Sequence, residues 1–312
     1  MEPKTNGARR RVSLKTALVL PLALAALVSA GLAVRPIQVA SAHVADAHAL
    51  AALMDGIDYR IAPLSQPDSR VPRLLLQRLP GGMAALDVER DRKRTFLRAL
   101  LPLVLAVNET ILEERNDLAD LRVALDQGAD AQERALERVA DLAAAYRVEA
   151  PTAETLRATI DELLTRVDVV PPSLALAQAA VESGWGTSRF ALEGNALFGQ
   201  SAWGNDGMAP LGHEAPTFRV AAFASLEDCI AAYAGNLNSH PAYAAFRALR
   251  AQQRAEGDEP DGRALAATLL AYAETGEVYT RTLRAVIDGN GLAIFDHVLL
   301  DDGGTLFVMA AR

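Results

Sequence analysis

The chain has 312 residues, of which 51% are hydrophobic and 22% charged, and its formal net charge is −8. This composition supplies a sizeable buried core and excludes a largely disordered protein. The acidic balance argues against nucleic-acid binding, which needs a basic surface. The single cysteine, Cys229, excludes an internal disulfide framework, and the five histidines are scattered without metal-binding spacing, so we expect neither a metal nor an organic cofactor.

The N-terminal segment has the pattern of an export or membrane sequence. Residues 1–15 are basic, and residues 16–34 carry no charge before Arg35. At about 1.5 Å per residue, such a helix nearly spans the roughly 30 Å hydrocarbon core of a bilayer. The basic start predicts a cytoplasmic N-terminus with the rest exported. Small residues at Ala30 and Ala42 also fit a cleaved signal peptide, and a buried soluble helix is the third alternative.

The rest of the chain divides into four segments by pattern. Residues 35–78 are punctuated by prolines and predict a tether, with one short helix near Ala45–Met54. Residues 79–150 have helical apolar periodicity and predict a helical subdomain. Residues 151–298 predict a second domain, and residues 299–312 a loose tail.

Several local signals predict helices and their limits. Pro102 lies inside an apolar helical pattern and predicts a kink or a restart there. Thr152 is a candidate N-cap, and Ser225–Asp228 resembles a capping box with Asp in place of Glu. Two further helices are predicted near Arg263–Ala273 and Val278–Asp288. Together these signals predict a mainly α protein.

One carboxylate lies at the end of an unusually apolar helix. Pro171 and Pro172 precede a run of small and apolar residues, and Gly184 and Gly186 follow it. Glu182 lies at its C-terminal end, where apolar surroundings and the negative end of the helix dipole both raise a carboxyl pKa. A carboxylic acid that keeps its proton near neutral pH suits general acid catalysis. The alternative is a solvated glutamate at a helix terminus.

Two motifs carry a family resemblance. The string AQAAVESGWG at Ala177–Gly186, followed by NALFG at Asn195–Gly199, resembles the paired motifs of bacterial glucosaminidase-domain peptidoglycan hydrolases. Among these the chain is most similar to the Bax-type proteins, over roughly residues 70–297. The resemblance implies a mainly α, lysozyme-like (α+β) fold: a helical N-terminal subdomain followed by a catalytic domain with a small β-hairpin lobe.

The same resemblance implies a function. Glu182 would be the general acid acting on a β-1,4 glycosidic bond next to N-acetylglucosamine, and the partner would be the glycan strands of peptidoglycan. Combined with the N-terminal segment, it places the protein on the periplasmic side of the inner membrane, either anchored or, after signal-peptide cleavage, soluble.

Further site residues are expected around a sugar-binding cleft. Trp185, Phe198 and Trp203 would line it, because sugar rings stack on aromatic rings, although core packing is the alternative for each. Asn195 would bind a sugar N-acetyl group or hydroxyl, or else hold a turn. Tyr272 matches a family tyrosine near the cleft, and for a helical aromatic residue the alternative is again the core.

A second carboxylate would decide the stereochemistry of a glycosidase. Asp206 and Glu214 are the candidates, with Glu214 favoured, and catalysis assisted by the sugar acetamido group would need neither. His213 and His240 are interpreted as structural histidines. Three other functions stay open: a lytic transglycosylase acting on the same glycan, a cell-wall amidase, and a non-catalytic murein-binding protein.

Overall fold

The computed structural model describes five stretches of the chain: residues 39–61, 69–127, 132–202, 207–209 and 219–311. Within them the chain forms ten α-helices and five short strands, so the mainly α prediction is confirmed. The helices are α1 (Ala47–Gly56), α2 (Lys93–Asp126), α3 (Gln132–Ala145), α4 (Leu156–Arg166), α5 (Pro172–Ser183), α6 (Arg189–Gly194), α7 (Leu226–Ser239), α8 (Ala244–Glu256), α9 (Gly262–Ala266) and α10 (Glu277–Gly289). The strands are β1 (Val39–Val44), β2 (Arg70–Val71), β3 (Leu74–Leu76), β4 (Leu299–Leu300) and β5 (Thr305–Ala310).

The long helix α2 is central to the core. It packs against β3, α4, α5 and α7, and nearly every side chain from Thr95 to Asn108 is buried. It runs through Pro102 without a restart, and the apolar packing of the surrounding side chains offsets the cost of a proline inside a helix. Within the described stretches, Arg90–Asp126 is the one helix long and apolar enough to cross a membrane. Because 78% of its most apolar window is buried inside the protein, it is typical of a core helix. The predicted membrane segment, residues 16–34, lies outside the described residues.

Helix α5 has the limits that the sequence predicts. Pro171 is its N-cap and Pro172 its first residue, and Gly184 ends it in the left-handed conformation with φ +59°. The Gly184 N–H donates to Ala180 O, which completes the C-terminal turn. The side chains from Pro172 to Ala180 are all buried, because α2, α9 and α10 pack around the helix.

The predicted tether and tail are wrong where the structure describes them. Strand β5 from the C-terminal end lies between β1 and β3 in a parallel sheet, with Val39 opposite Thr305 and Leu74 opposite Leu306. A second parallel pair joins β2 to β4. The strands are short, and each pairs with a strand more than 200 residues away in the sequence, so only the tertiary fold brings them together. Helix α1 within the expected tether agrees with the predicted short helix.

Other local predictions have mixed outcomes. Ser225 caps α7 by accepting a hydrogen bond from Asp228 N at 3.0 Å, as predicted. Thr152 does not cap α4, which begins after Thr155; the two threonines bond to each other instead. The helix predicted near Arg263–Ala273 is only the short α9, whereas α10 matches its prediction closely.

The described residues from 39 to 311 belong to one compact unit with a continuous apolar core. Side chains from α2, α3, α5, α7 and α10 all contribute to that core. The division at residues 150 and 151 into a helical subdomain and a catalytic domain stays a prediction. The expected hairpin lobe after NALFG is described only at its edges, where Ser201 and Met208 each form an antiparallel bridge with Val220.

Candidate active site

Glu182 lies in the last turn of α5, where its side chain is only partly exposed. Burial raises the pKa of its carboxyl group above the ordinary glutamate value, and a hydrogen bond from Tyr279 opposes this rise. The net shift is upward because desolvation is the larger effect. The side chain is therefore neither in bulk solvent nor sealed inside the core.

A chain of buried hydrogen bonds ends at the Glu182 carboxyl group. The Tyr233 hydroxyl donates to Gln178 Oε1 at 2.6 Å, and Gln178 Nε2 donates to the Tyr279 hydroxyl at 2.9 Å. Tyr279 bonds in turn to the Glu182 carboxyl group. Because Gln178 occupies an acceptor site on the phenol oxygen, the single phenolic proton is free to point at Glu182. Burial raises the pKa of Tyr279, so the phenol keeps that proton.

The NALFG segment packs against the other side of the acid. Gly199 has φ +65°, and a Cβ atom placed on it would lie 3.2 Å from Glu182 Oε2. Phe198 stacks on Tyr233 with 3.9 Å between ring centroids. The Tyr272 hydroxyl donates to Phe198 O at 2.9 Å, and the Tyr272 ring stacks on Tyr279. Glycine at position 199 therefore gives the carboxyl group room that any side chain would take away.

An open cleft of about 590 Å³ includes Gly199 in its wall. Residues 198–201 form one part of the wall, α7 another, and Tyr243 and Tyr272 a third. The end of α3 and the turn after it complete the lining. Among the described residues, no three His, Cys, Asp or Glu side chains lie together in a way that could hold a metal ion.

The structure brings some of the predicted site residues together and separates others. Phe198 and Tyr272 line the cleft, although the Phe198 side chain is 2% exposed and mostly packs in the core. Trp185 does not line it; its ring packs edge-on against Phe96. Asn195 is 4% exposed with φ +53°, and its amide donates to Phe223 O, so it holds the turn, the alternative that the sequence left open.

The remaining predicted site residues lie outside the described stretches. These are Trp203 and both candidate second carboxylates, Asp206 and Glu214, together with His213. His240 is described, and it both lines the cleft and accepts a hydrogen bond on Nδ1 from Ala242 N.

Sequence reasoning missed the hydrogen-bond chain around Glu182. Gln178 precedes Glu182 by four residues, so the two share a helix face, and it is the one polar residue in an apolar run. That spacing was a usable signal. Tyr233 and Tyr279 gave no comparable signal, because only tertiary packing brings α7 and α10 next to α5.

Comparisons with known proteins assign this part of the chain to a family. The family model described as mannosyl-glycoprotein endo-beta-N-acetylglucosaminidase matches residues 157–292, which include Glu182 and the whole hydrogen-bond chain. This match defines the class as glycosidase-type enzymes with a glucosaminidase domain.

The chain is also similar to a known bacterial protein along most of its length. It is 36% identical to Protein bax of Escherichia coli (strain K12) over 209 residues, which are 66% of this chain and 73% of the relative. The chain therefore belongs to the Bax-type group of the glucosaminidase family. A solved structure, the catalytic domain of the autolysin Auto from Listeria monocytogenes, is 16% identical with a TM-score of 0.36, covering 69% of this chain and 93% of that one.

Proposed function

We propose that the protein hydrolyses peptidoglycan at a β-1,4 glycosidic bond next to N-acetylglucosamine, with Glu182 as the general acid. The observation that carries the proposal is the partly buried Glu182 carboxyl group, whose pKa is raised and which lies against the cleft residue Gly199. Membership of the glucosaminidase family supports the substrate class, because the family's bond is a glycosidic one.

In this mechanism the protonated Glu182 donates its proton to the glycosidic oxygen as the bond to the anomeric carbon breaks. Positive charge then develops on the sugar ring, and water adds to the anomeric carbon. The proton that the water releases is taken up by a base in the site, and the Glu182 carboxylate regains a proton before the next turnover. Tyr279 holds the carboxyl group in one orientation before transfer and stabilises the carboxylate after it. Tyr272 positions Phe198 and Gly199 beside the acid.

The second catalytic group, which would act together with Glu182, is proposed from the sequence. Glu214 is the favoured second carboxylate, and participation of the substrate acetamido group is the alternative. We also propose that Trp203 stacks on a sugar ring of the substrate, as does the cleft-lining Tyr272.

The proposed location is the periplasmic side of the inner membrane. The uncharged residues 16–34 would anchor the protein there, or their cleavage would release it into the periplasm. A murein substrate fits either form, since the cell wall lies outside the cytoplasm.

The test is digestion of purified peptidoglycan by the full chain, followed by mass spectrometry of the products. New reducing ends on N-acetylglucosamine are expected. Products ending in 1,6-anhydromuramic acid would instead identify a lytic transglycosylase, free stem peptides an amidase, and binding without products a non-catalytic murein-binding protein. Each of these three results would overturn the proposed reaction.

A further inference from the structure

The cleft contains one arginine from outside the glucosaminidase match. Arg147 lies in the turn after α3, and it lines the cleft together with Ala145, residues 198–201 and part of α7. The family match begins only at residue 157. This wall of the cleft therefore comes from the helices upstream of the matched glucosaminidase domain.

The backbone of Arg147 is in a conformation that normally selects glycine. Its φ is +56°, and Val148 N donates to Ala143 O at 2.8 Å, the bond that closes a Schellman-type helix end. Glycine is strongly preferred at such a position because it has no Cβ atom to strain. An arginine kept in strained backbone beside a cleft suggests a use for its side chain.

That side chain is exposed and unpaired. Arg147 forms no side-chain hydrogen bond or ion pair with any residue in the described stretches. Neighbouring arginines differ, since Arg166 donates to Tyr146 O and Ser239 O, and the buried Arg250 donates to five acceptors. Arg147 is thus available to a ligand, whereas its neighbours hold the fold together.

The described lining of the cleft differs in charge from the protein as a whole. The formal net charge is −8, yet the described residues lining the cleft include no aspartate or glutamate. Arg147 and His240 are the basic groups among them. Such a lining attracts an anion and offers a neutral sugar polymer no matching charge.

We propose that Arg147 binds a carboxylate of the substrate, and so makes the enzyme selective for the anionic glycan of peptidoglycan over neutral N-acetylglucosamine polymers. The inference rests on the proposed function. A guanidinium group matches a carboxylate with two parallel hydrogen bonds. In peptidoglycan that carboxylate belongs either to the lactyl group of muramic acid, where no peptide is attached, or to the stem peptide.

The experiment measures binding, so that catalysis does not enter the result. Full-length protein carrying Glu182→Gln is titrated calorimetrically with three ligands: murein fragments with stem peptides, the same fragments stripped of peptides, and uncharged N-acetylglucosamine oligomers. The comparison is repeated with Arg147→Gly, which removes the charge and suits the left-handed backbone, and with Arg147→Lys, which keeps the charge. Arg134→Ala is the matched control, since Arg134 is an exposed α3 arginine that does not line the cleft.

For Arg147→Gly, the affinity for carboxylate-bearing ligands relative to neutral oligomers should fall roughly tenfold or more, the size expected for a lost charge-assisted hydrogen bond. Arg147→Lys should retain part of the preference, and Arg134→Ala all of it. A loss confined to peptide-bearing fragments assigns the stem-peptide carboxylate, and a loss on stripped fragments the lactyl group. An unchanged ratio, equal losses on all ligands, or no binding of charged fragments by the parent would overturn the inference.

The proposed function can fail separately. If the protein with Glu182 intact releases no glycan fragments while the Glu182→Gln form binds charged fragments through Arg147, the hydrolysis proposal is wrong and the binding inference stands.

Discussion

The phenol of Tyr279 donates a hydrogen bond to the carboxyl group of Glu182, across the interface between α10 and α5. Two opposing influences therefore act on the pKa of one acid: burial raises it and Tyr279 lowers it, with burial the stronger. The acid is tuned by a residue nearly 100 positions away in the sequence, and this relationship can be tested directly.

Tyr279→Phe should move the basic limb of the pH–rate profile to higher pH. Without the phenolic hydrogen bond, burial acts on Glu182 unopposed, so its pKa rises further and the acid keeps its proton to higher pH. The maximal rate should fall, because the carboxyl group loses its orientation. Profiles of hydrolysis rate against pH for both proteins provide the measurement, and a limb that stays in place or moves to lower pH would contradict this account.

Glu182→Gln should reduce murein hydrolysis by roughly 10²- to 10⁴-fold, the usual contribution of a general acid. The folded protein should be at least as stable at neutral pH, because an acid with a raised folded-state pKa destabilises the fold once it ionises. This gain in the free energy of unfolding should vanish at acid pH, where Glu182 is protonated in both the folded and the unfolded protein. It should grow as the pH rises through the folded-state pKa of Glu182. Rates of reducing-end release and melting temperatures at several pH values test both parts. Glu193→Gln, at an exposed residue on α6, is the control.

Gly199→Ala should reduce activity far more than an equivalent change elsewhere. The new methyl group would lie 3.2 Å from Glu182 Oε2 and displace the acid, which we expect to reduce kcat at least tenfold. The left-handed backbone should also destabilise the fold by about 1–2 kcal/mol. Gly257→Ala has the matching backbone conformation, φ +86°, with nothing within 4 Å of the added atom. Gly257→Ala should lose the same amount of stability as Gly199→Ala but keep its kcat unchanged. Equal kcat values for the two variants would contradict this prediction.

Adjacent residues of β5 should differ sharply in their effect on stability. Val308 is fully buried between Ala42 and Leu76, whereas Phe307 is 43% exposed on the other face of the sheet. Val308→Ala should lower the free energy of unfolding by about 2 kcal/mol, and Phe307→Ala by less than about 1 kcal/mol. Urea denaturation measures both. Equal, small effects would mean that the C-terminal strand is not part of the folded core.

The sequence predicted most reliably where the signal is local. The limits of α5 follow from two prolines at one end and a glycine at the other, and the Ser225 cap of α7 follows from a four-residue pattern. Thr152 shows the limit of such signals, because the residue directly before the helix is Thr155, whose hydroxyl bonds to Thr152 and does not cap the helix. The pattern therefore predicted a side-chain cap that neither threonine forms.

The amino-acid sequence by itself determined the helical architecture and the position of Glu182 at the end of an apolar helix. Both depend on residues that lie within a few helical turns of one another. Tertiary structure alone decided that β1, β3 and β5 form one sheet, that Tyr233, Gln178 and Tyr279 connect to the acid, and that Arg147 reaches the cleft. These features join segments that are distant in the chain. They depend on burial and on contacts between distant residues, which a local sequence pattern does not predict.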